Sequence, residues 1–176
     1  MLTIDMDHKT FQLENLHSTT SLALPRGWKK GTTSHGRFSH CQQFHPADED
    51  DVAVVVTCRG HQLTEDGTAK FLAVLKSPPH ALDDLERRRI SEVLDDQVSK
   101  ARFSLAAART EEWQGKTVLI TEGTYATSGD QAYTIFVDAD GDGTWVEEFQ
   151  YFAPSEKFHV HFNDALATFK AIQWNS

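Results

Sequence analysis

The acidic run Asp138-Ala-Asp140-Gly-Asp142-Gly143 has the spacing with which the calcium-binding loop of an EF-hand begins. Such a loop also ends on a bidentate glutamate, and this chain has Phe149 at that position. An EF-hand loop lies between helices, whereas Tyr133 to Val137 and Trp145 to Phe149 on both sides here are typical of strands. The sequence therefore predicts an acidic hairpin turn, and weak calcium binding by Asp138, Asp140 and Asp142 is the alternative.

His35, His40, Cys41 and His45 form a second group of potential metal ligands within a short stretch of chain. Imidazole nitrogen and thiolate sulfur are ligands that zinc prefers. If residues 37–44 form a strand, His40 and Cys41 point to opposite faces of the sheet, because successive side chains of a strand alternate. The pattern favours ordinary strand residues over a metal site, and whether these side chains converge stays open.

A complete catalytic motif is absent from the sequence. Gly115-Lys-Thr117 resembles the end of a phosphate-binding P-loop, but Thr110 stands where that loop requires its first glycine. The segment also leads into a strand instead of a helix, so the helix N-terminus that binds phosphate is missing. The G-x-S-x-G elbow of hydrolases does not occur. We therefore expect a non-catalytic protein without a cofactor; the alternative is a small hydrolase or ligand-binding protein with a pocket beside the sheet.

Two features are weak candidates for contact with a partner. Arg87, Arg88 and Arg89 make a basic patch in an acidic chain, and their pattern is typical of a solvated helix face with aspartates one turn away. A docking patch is the alternative interpretation. Trp28 follows a turn formed by Pro25-Arg-Gly, where its ring can anchor the chain to the core or contact a partner.

Composition narrows the class of protein. The 176 residues are 39% hydrophobic and 24% charged, which predicts one soluble domain over residues 1–176 with its own core. The 26 acidic and 17 basic residues give a formal net charge of −9, which disfavours nucleic-acid and membrane partners. The chain shows no signal peptide and no apolar run of membrane-spanning length, so the expected location is cytoplasmic. There, Cys41 and Cys58 should be free thiols.

Apolar alternation and runs of β-branched residues predict the strands. They are expected as a hairpin or two short strands over residues 11–24, at 37–44, 52–58 and 69–75, with a loop at 31–36, and then as a three-stranded meander over 117–121, 132–139 and 144–153. An odd loop of about three residues, centred on Gly141 or Asp142, is preferred for the last hairpin. Only an odd loop places Tyr133, Ile135 and Val137 on the same face as Trp145, Phe149 and Tyr151.

Two amphipathic helices are predicted. Ser77-Pro-Pro79 indicates the start of the first, which continues through apolar residues spaced by three and four positions: Leu82, Leu85, Ile90, Val93, Leu94, Val98 and Ala101. The second is expected to begin with Ser155 as its N-cap and to bury a stripe made of Phe158, Phe162, Ala165, Leu166, Phe169 and Ile172. Strands and helices occur in separate runs, which predicts an α+β fold: a twisted, mainly antiparallel sheet flanked by two or three helices.

Several segments resemble the Mog1/PsbP-like superfamily. They are the hairpin ending in Pro25-x-Gly-Trp28, the mid-chain helix, and the runs GKTVLITEGTY, YTIFVDADGDGTWVEEFQYFAP and FNDALATFKAIQW, with residues 115–174 carrying most of the match. Members of that superfamily are generally accessory proteins, and this chain resembles an uncharacterised bacterial branch. The resemblance implies an accessory role in which a protein partner binds a sheet face or the groove between sheet and helix.

Overall fold

A seven-stranded antiparallel sheet forms the centre of the fold in the computed structural model, which describes residues 7–35, 39–59, 63–143 and 145–175. The strands within these ranges are β1 (His8–Gln12), β2 (Ser21–Pro25), β3 (Trp28–His35), β4 (Ser39–Pro46), β5 (Ala53–Arg59), β6 (Phe103–Trp113), β7 (Lys116–Tyr125), β8 (Gln131–Asp138) and β9 (Val146–Ala153). The helices are α1 (Glu65–Lys76), α2 (Asp84–Arg89), α3 (Ser91–Leu94) and α4 (Ser155–Lys170), with a 3-10 helix at Asp95–Val98. The sheet order is β3-β4-β5-β9-β8-β7-β6, and β1 pairs with β2 separately.

The sheet is covered on both faces, because successive residues of its central strands belong to different apolar cores. Ile135 of β8 packs in the core that includes the β1–β2 hairpin and α4. Its neighbour Phe136 packs in the core that includes α1 and α3. The α+β class predicted from the sequence is confirmed, and the sheet is the layer between the two cores. In the described residues, none of the helices has both the length and the apolarity needed to cross a membrane.

The β8–β9 hairpin confirms the predicted odd register. Ile135 pairs with Phe149 and Asp138 pairs with Val146, so the apolar side chains of both strands share the face that packs on α4. The loop is longer than predicted, since the last pairing is the hydrogen bond from the Ala139 N–H to the Trp145 carbonyl at 3.0 Å. The register also places Glu147 on the core face.

The strand predicted at residues 69–75 is wrong, because this segment belongs to α1. Thr64 caps the helix by accepting a hydrogen bond from the Gly67 N–H at 3.1 Å, and Phe71 and Val74 are buried three positions apart. A short apolar run suits a buried strand and a helix equally well. The N-cap residue Thr64, followed by acidic residues in the first turn, is the sequence signal that distinguishes the helix from a strand here.

The loop predicted at residues 31–36 is also wrong, because β3 extends from Trp28 to His35. Gly31 lies where the β3–β4 register shifts, and a side chain there would collide with the His45 imidazole. The glycine therefore permits close packing between strands. Strand β6 was not predicted, because a register irregularity between Leu105 and Ala107 interrupts its alternation.

The long mid-chain helix is broken into α2, α3 and the 3-10 helix. Ile90, Val93 and Leu94 are buried as predicted, but Leu85 and Val98 are 48% and 43% exposed. Ile90 ends α2 and Asp95 ends α3 with backbone angles outside the helical range, Asp95 with a φ of +48°, so the stripe expected of one continuous helix does not continue through these positions.

The C-terminal helix confirms the predicted apolar stripe: Phe158, Ala165 and Phe169 are buried in the core. Its predicted cap is wrong, since Pro154 is the N-cap and Ser155 is the first helical residue. The Ser155 hydroxyl instead donates a hydrogen bond to the Gly129 carbonyl at 3.1 Å.

Candidate functional site

The acidic turn at residues 138–143 uses one of its own carboxylates to order the loop. Asp138 Oδ1 accepts hydrogen bonds from the Gly141 and Gly143 N–H groups at 3.1 and 3.0 Å. Burial raises the pKa of Asp138, and the neighbouring Asp140 raises it further. In the part of the chain that the structure describes, no three His, Cys, Asp or Glu side chains gather as a metal site. Calcium binding by Asp138, Asp140 and Asp142 stays a prediction.

The histidines and cysteine of the second predicted group are separated by the geometry of β4. His40 is buried, and Cys41 follows it on the opposite, more open face. His45 lies on the face of Cys41, with its Nδ1 atom 3.1 Å from Asp50 Oδ1. The side chain of His35 is outside the described residues. Cys41 and Cys58 are both free, as the sequence predicts.

Glu147 forms a buried polar site that sequence reasoning missed. Its carboxylate is 0% exposed. It accepts hydrogen bonds from the His17 N–H at 2.6 Å, from the Ser18 N–H at 3.1 Å and from the Ser18 hydroxyl. These contacts attach the connection between β1 and β2 to strand β9, so the role of Glu147 is to stabilise the fold.

Cys58 lies beside Glu147 and pairs in register with His40, which brings a thiol, an imidazole and a carboxylate to neighbouring strands. Residue types of this kind serve in cysteine hydrolases. Burial, followed by the nearby Glu147, raises the pKa of Cys58 to about 11. The thiol is therefore protonated at neutral pH and is a poor nucleophile.

A groove lies where α2 and the 3-10 helix meet the edge of the sheet, and we call it the β6 groove. It encloses about 560 Å³, a volume typical of ligand sites. Its lining residues are Asp84, Arg87, Arg88, Gln97, Val98, Lys100, Phe103, Ser104 and Leu105. Because residues 103, 104 and 105 are consecutive in β6, the groove opens on the edge of the strand instead of on one face.

Helix capping and packing fix the walls of the β6 groove. Asp83 and Glu86 form a capping box at the start of α2, each side chain accepting from the backbone of the other. The Arg87 Nε donates to the Leu82 carbonyl at 3.1 Å, which holds its guanidinium against the wall. On the opposite side, Phe103 is buried and contacts Tyr125 edge to face, with ring centroids 5.1 Å apart.

The charge of the β6 groove is opposite to that of the chain. Arg87, Arg88 and Lys100 line it together with one acidic residue, Asp84, in a protein of net charge −9. Asp84 lies 3.7 Å from Arg87 and is mostly exposed. The cations outnumber the carboxylate, so the groove is suited to an anionic ligand.

The residues that the sequence suggested for contact with a partner lie in different parts of the structure. Arg87 and Arg88 line the β6 groove, whereas Arg89 is exposed outside its lining. Trp28 is 4% exposed in the core, which confirms it as an anchor and leaves almost no ring surface for a partner. Lys100, Phe103 and Ser104 were missed, because no strand was predicted where β6 begins.

His80 supports the segment beside the groove and gives a pH-dependent prediction. Its Nε2 lies 3.0 Å from Glu86 Oε1. The Glu86 hydrogen bond raises the pKa of His80 above 6.5. The pKa of Glu86 is lowered below 4.5, first by the Asp83 backbone and then by His80. We therefore expect the wild-type protein to be more stable than His80→Gln. The full difference in their free energies of unfolding should be present between pH 4.5 and 6.5.

That difference should fall as pH rises through the folded pKa of His80, and also as pH falls through the folded pKa of Glu86. Urea unfolding of both proteins across this pH range measures the difference. His8→Gln, at an exposed strand position, is the control. A constant difference between wild type and His80→Gln would contradict the ion pair.

The sheet, the β1–β2 hairpin and the helices on both faces make up a Mog1/PsbP-like fold. The solution structure of cyanobacterial PsbP (CyanoP) from Synechocystis sp. PCC 6803 covers 98% of this chain and 95% of its own, with a TM-score of 0.62 and 12% identity. The crystal structure of PA94 from Pseudomonas aeruginosa, a protein of unknown function described as a putative regulator, covers 96% of this chain and 98% of its own. Its TM-score is 0.53 at 10% identity. No protein-family model and no curated protein matches the chain.

Proposed function

We propose that this protein is a non-catalytic accessory protein that binds a protein partner through the β6 groove. The observation that carries the proposal is the presence of Arg87, Arg88 and Lys100 around one groove in a chain of net charge −9. A basic groove on an acidic protein attracts an acidic partner segment, while the remaining surface repels unrelated acidic proteins.

The lining of the β6 groove also has the composition of an interface. Val98 and Leu105 supply apolar surface next to the cations. Protein interfaces commonly place an apolar centre inside a charged and polar rim. The fold shared with cyanobacterial PsbP is compatible with an accessory role.

The proposal includes a cytoplasmic location and one domain over residues 1–176. Cys41 and Cys58 are both free, which suits a reducing compartment. Both apolar cores use strands of the same seven-stranded sheet, which supports their unfolding as one unit. Cell fractionation and a single urea transition followed by two probes test these two points.

Photo-crosslinking in the native cells tests the partner site. A photoreactive amino acid at Val98 should give a discrete adduct, and adding Arg88→Glu and Lys100→Glu should abolish it. Val160 on α4 is the matched control, since it is an exposed valine (66%) on another surface. An adduct that forms equally from Val160, or that survives both charge reversals, would refute the role of the groove.

The volume of the groove favours a second candidate function, the binding of a small organic anion. About 560 Å³ accommodates a metabolite-sized molecule beside three basic side chains. Native mass spectrometry of the purified protein would show such a ligand as an added mass that Arg88→Glu removes.

A further inference from the structure

The β6 groove contains an open strand edge. Strand β6 is the last strand of the sheet order, so one side of it faces away from β7. Within the described ranges, no other segment forms a β-bridge with the outer side of residues 104–107. An unpaired strand edge is a template for pairing with another chain. The strand residues that line the groove, Phe103, Ser104 and Leu105, are the first three residues of β6.

The protein itself shows how a segment adds to this edge. Ala81 forms an antiparallel bridge with Arg109, the Leu82 N–H donates to the Ala108 carbonyl at 2.8 Å, and the Thr110 N–H donates to the His80 carbonyl at 2.9 Å. The segment then leaves the edge at Asp83, where α2 is capped. Past that point the same edge continues into the groove.

From this continuity and the charge of the groove, we infer that the partner supplies a short acidic strand that pairs with residues 104–107 of β6, beyond the Phe103 N–H that already donates to the Ser99 carbonyl at 2.9 Å. The inference rests on the proposed function and specifies its binding mode. Backbone hydrogen bonds to the edge would provide affinity, as in other cases of strand addition. Acidic side chains of the strand face Arg87, Arg88 and Lys100, and apolar ones face Val98 and Leu105.

The bulge of β6 limits the length of this pairing. The register shifts between Leu105 and Ala107, so a regular ladder extends over only the first few residues of the strand. A bulge also protects edges from unwanted pairing. We therefore expect a short, charge-dependent contact with an affinity of about micromolar order.

A labelled octapeptide of alternating glutamate and valine, added to the full-length protein, tests the inference. We expect saturable binding by fluorescence anisotropy and slower amide hydrogen exchange within residues 104–107. The double variant Arg88→Glu and Lys100→Glu should weaken binding about tenfold or more. Arg89→Glu is the matched control and should bind as wild type does, because Arg89 is an exposed residue outside the lining.

N-methylation of the peptide separates strand pairing from attraction of charge. Only alternate amides of an edge-paired strand point toward β6. Methylating the glutamate amides or the valine amides should therefore weaken binding in one peptide and leave the other nearly unchanged. Equal effects, or binding without exchange protection, would overturn strand pairing. Complete displacement of the octapeptide by glutarate would also overturn strand pairing, because binding would then require only the carboxylate groups and no peptide backbone.

The two proposals fail in different ways. If the Val98 adduct depends on the groove cations but the octapeptide gives no protection, strand pairing is wrong and the partner site stands. If that adduct is independent of Arg88 and Lys100, the proposed function is wrong, whatever the octapeptide does.

Discussion

Glu147→Gln is expected to lower the free energy of unfolding by about 3 kcal/mol. The fully buried carboxylate accepts from two backbone N–H groups and from the Ser18 hydroxyl. Glutamine keeps the shape but replaces one acceptor oxygen with an N–H₂ group that faces other donors. A buried donor without an acceptor costs more than the loss of an exposed hydrogen bond.

Urea unfolding followed by circular dichroism measures this effect, and the midpoint of thermal unfolding should fall by about 6–12 °C. Glu112→Gln is the matched control, since Glu112 is an exposed glutamate in a strand, and it should change stability by less than about 0.5 kcal/mol. Ser18→Ala removes one donor only and should cost about 1 kcal/mol. Equal stabilities for Glu147→Gln and Glu112→Gln would show that the buried carboxylate does not hold the loop.

The effect is large because several distant segments meet at this point. The Asn175 N–H donates to the Ser18 carbonyl at 2.7 Å, and the Asn175 side chain donates to the His17 carbonyl at 2.9 Å. The β1–β2 connection therefore binds β9 on one side and the C-terminal residues on the other. Loss of the Glu147 contacts leaves this connection attached to the sheet mainly through the Glu14 backbone and the Gln42 side chain of β4, and the cover of that core face loosens.

The sequence predicted the second half of the fold well, because its patterns are clear. Strands β7 and β8 are runs of mainly β-branched and aromatic residues bounded by turn residues, burial in β9 alternates at period two, and the apolar residues of α4 recur every three to four positions. In β9, however, Glu147 occupies a core position between Trp145 and Phe149. Periodicity assigns Glu147 to the core face but gives no information about the hydrogen-bond donors to its carboxylate. These donors belong to His17 and Ser18, which precede Glu147 by 130 and 129 positions.

The first half and the groove were harder to predict, for identifiable reasons. Helix α1 has an apolar run that also suits a buried strand, and β6 loses its alternation at the bulge after Leu105. Arg87 and Arg88 could be singled out from the sequence as a basic patch. Lys100 and Phe103 could not be joined to them, because that requires the turns after α2 and the position of β6 at the edge of the sheet.

Gly123→Ala gives the second large effect, a loss of about 2–3 kcal/mol in the free energy of unfolding. Gly123 of β7 pairs with Leu105, and an added Cβ would collide with the Phe103 ring and the Ser104 carbonyl oxygen. The ring is buried against Tyr125, and the carbonyl belongs to the strand backbone, so neither yields without moving β6. An unstrained Gly→Ala change would instead stabilise by about 0.4–1 kcal/mol through the unfolded state.

Gly27→Ala is the matched control, because nothing lies within 4 Å of its added Cβ and its φ is not positive. It should be neutral or slightly stabilising in the same urea titration. A double-mutant cycle with Phe103→Ala separates the two collisions: without the ring, the Gly123→Ala penalty should fall by about half and the carbonyl contribution should remain. Equal effects of Gly123→Ala and Gly27→Ala would contradict this packing.

The collision at Gly123 lies under the same residues of β6 that form the strand edge of the groove. If Gly123→Ala folds, it should therefore weaken binding of the glutamate–valine octapeptide, although no charge has changed. Arg88→Glu should weaken binding with little loss of stability, since Arg88 is exposed. The two variants thus change the edge and the charge of the groove independently. Peptide binding that depends on Arg88 but is unaffected by Gly123→Ala would show that the cations act without the strand edge.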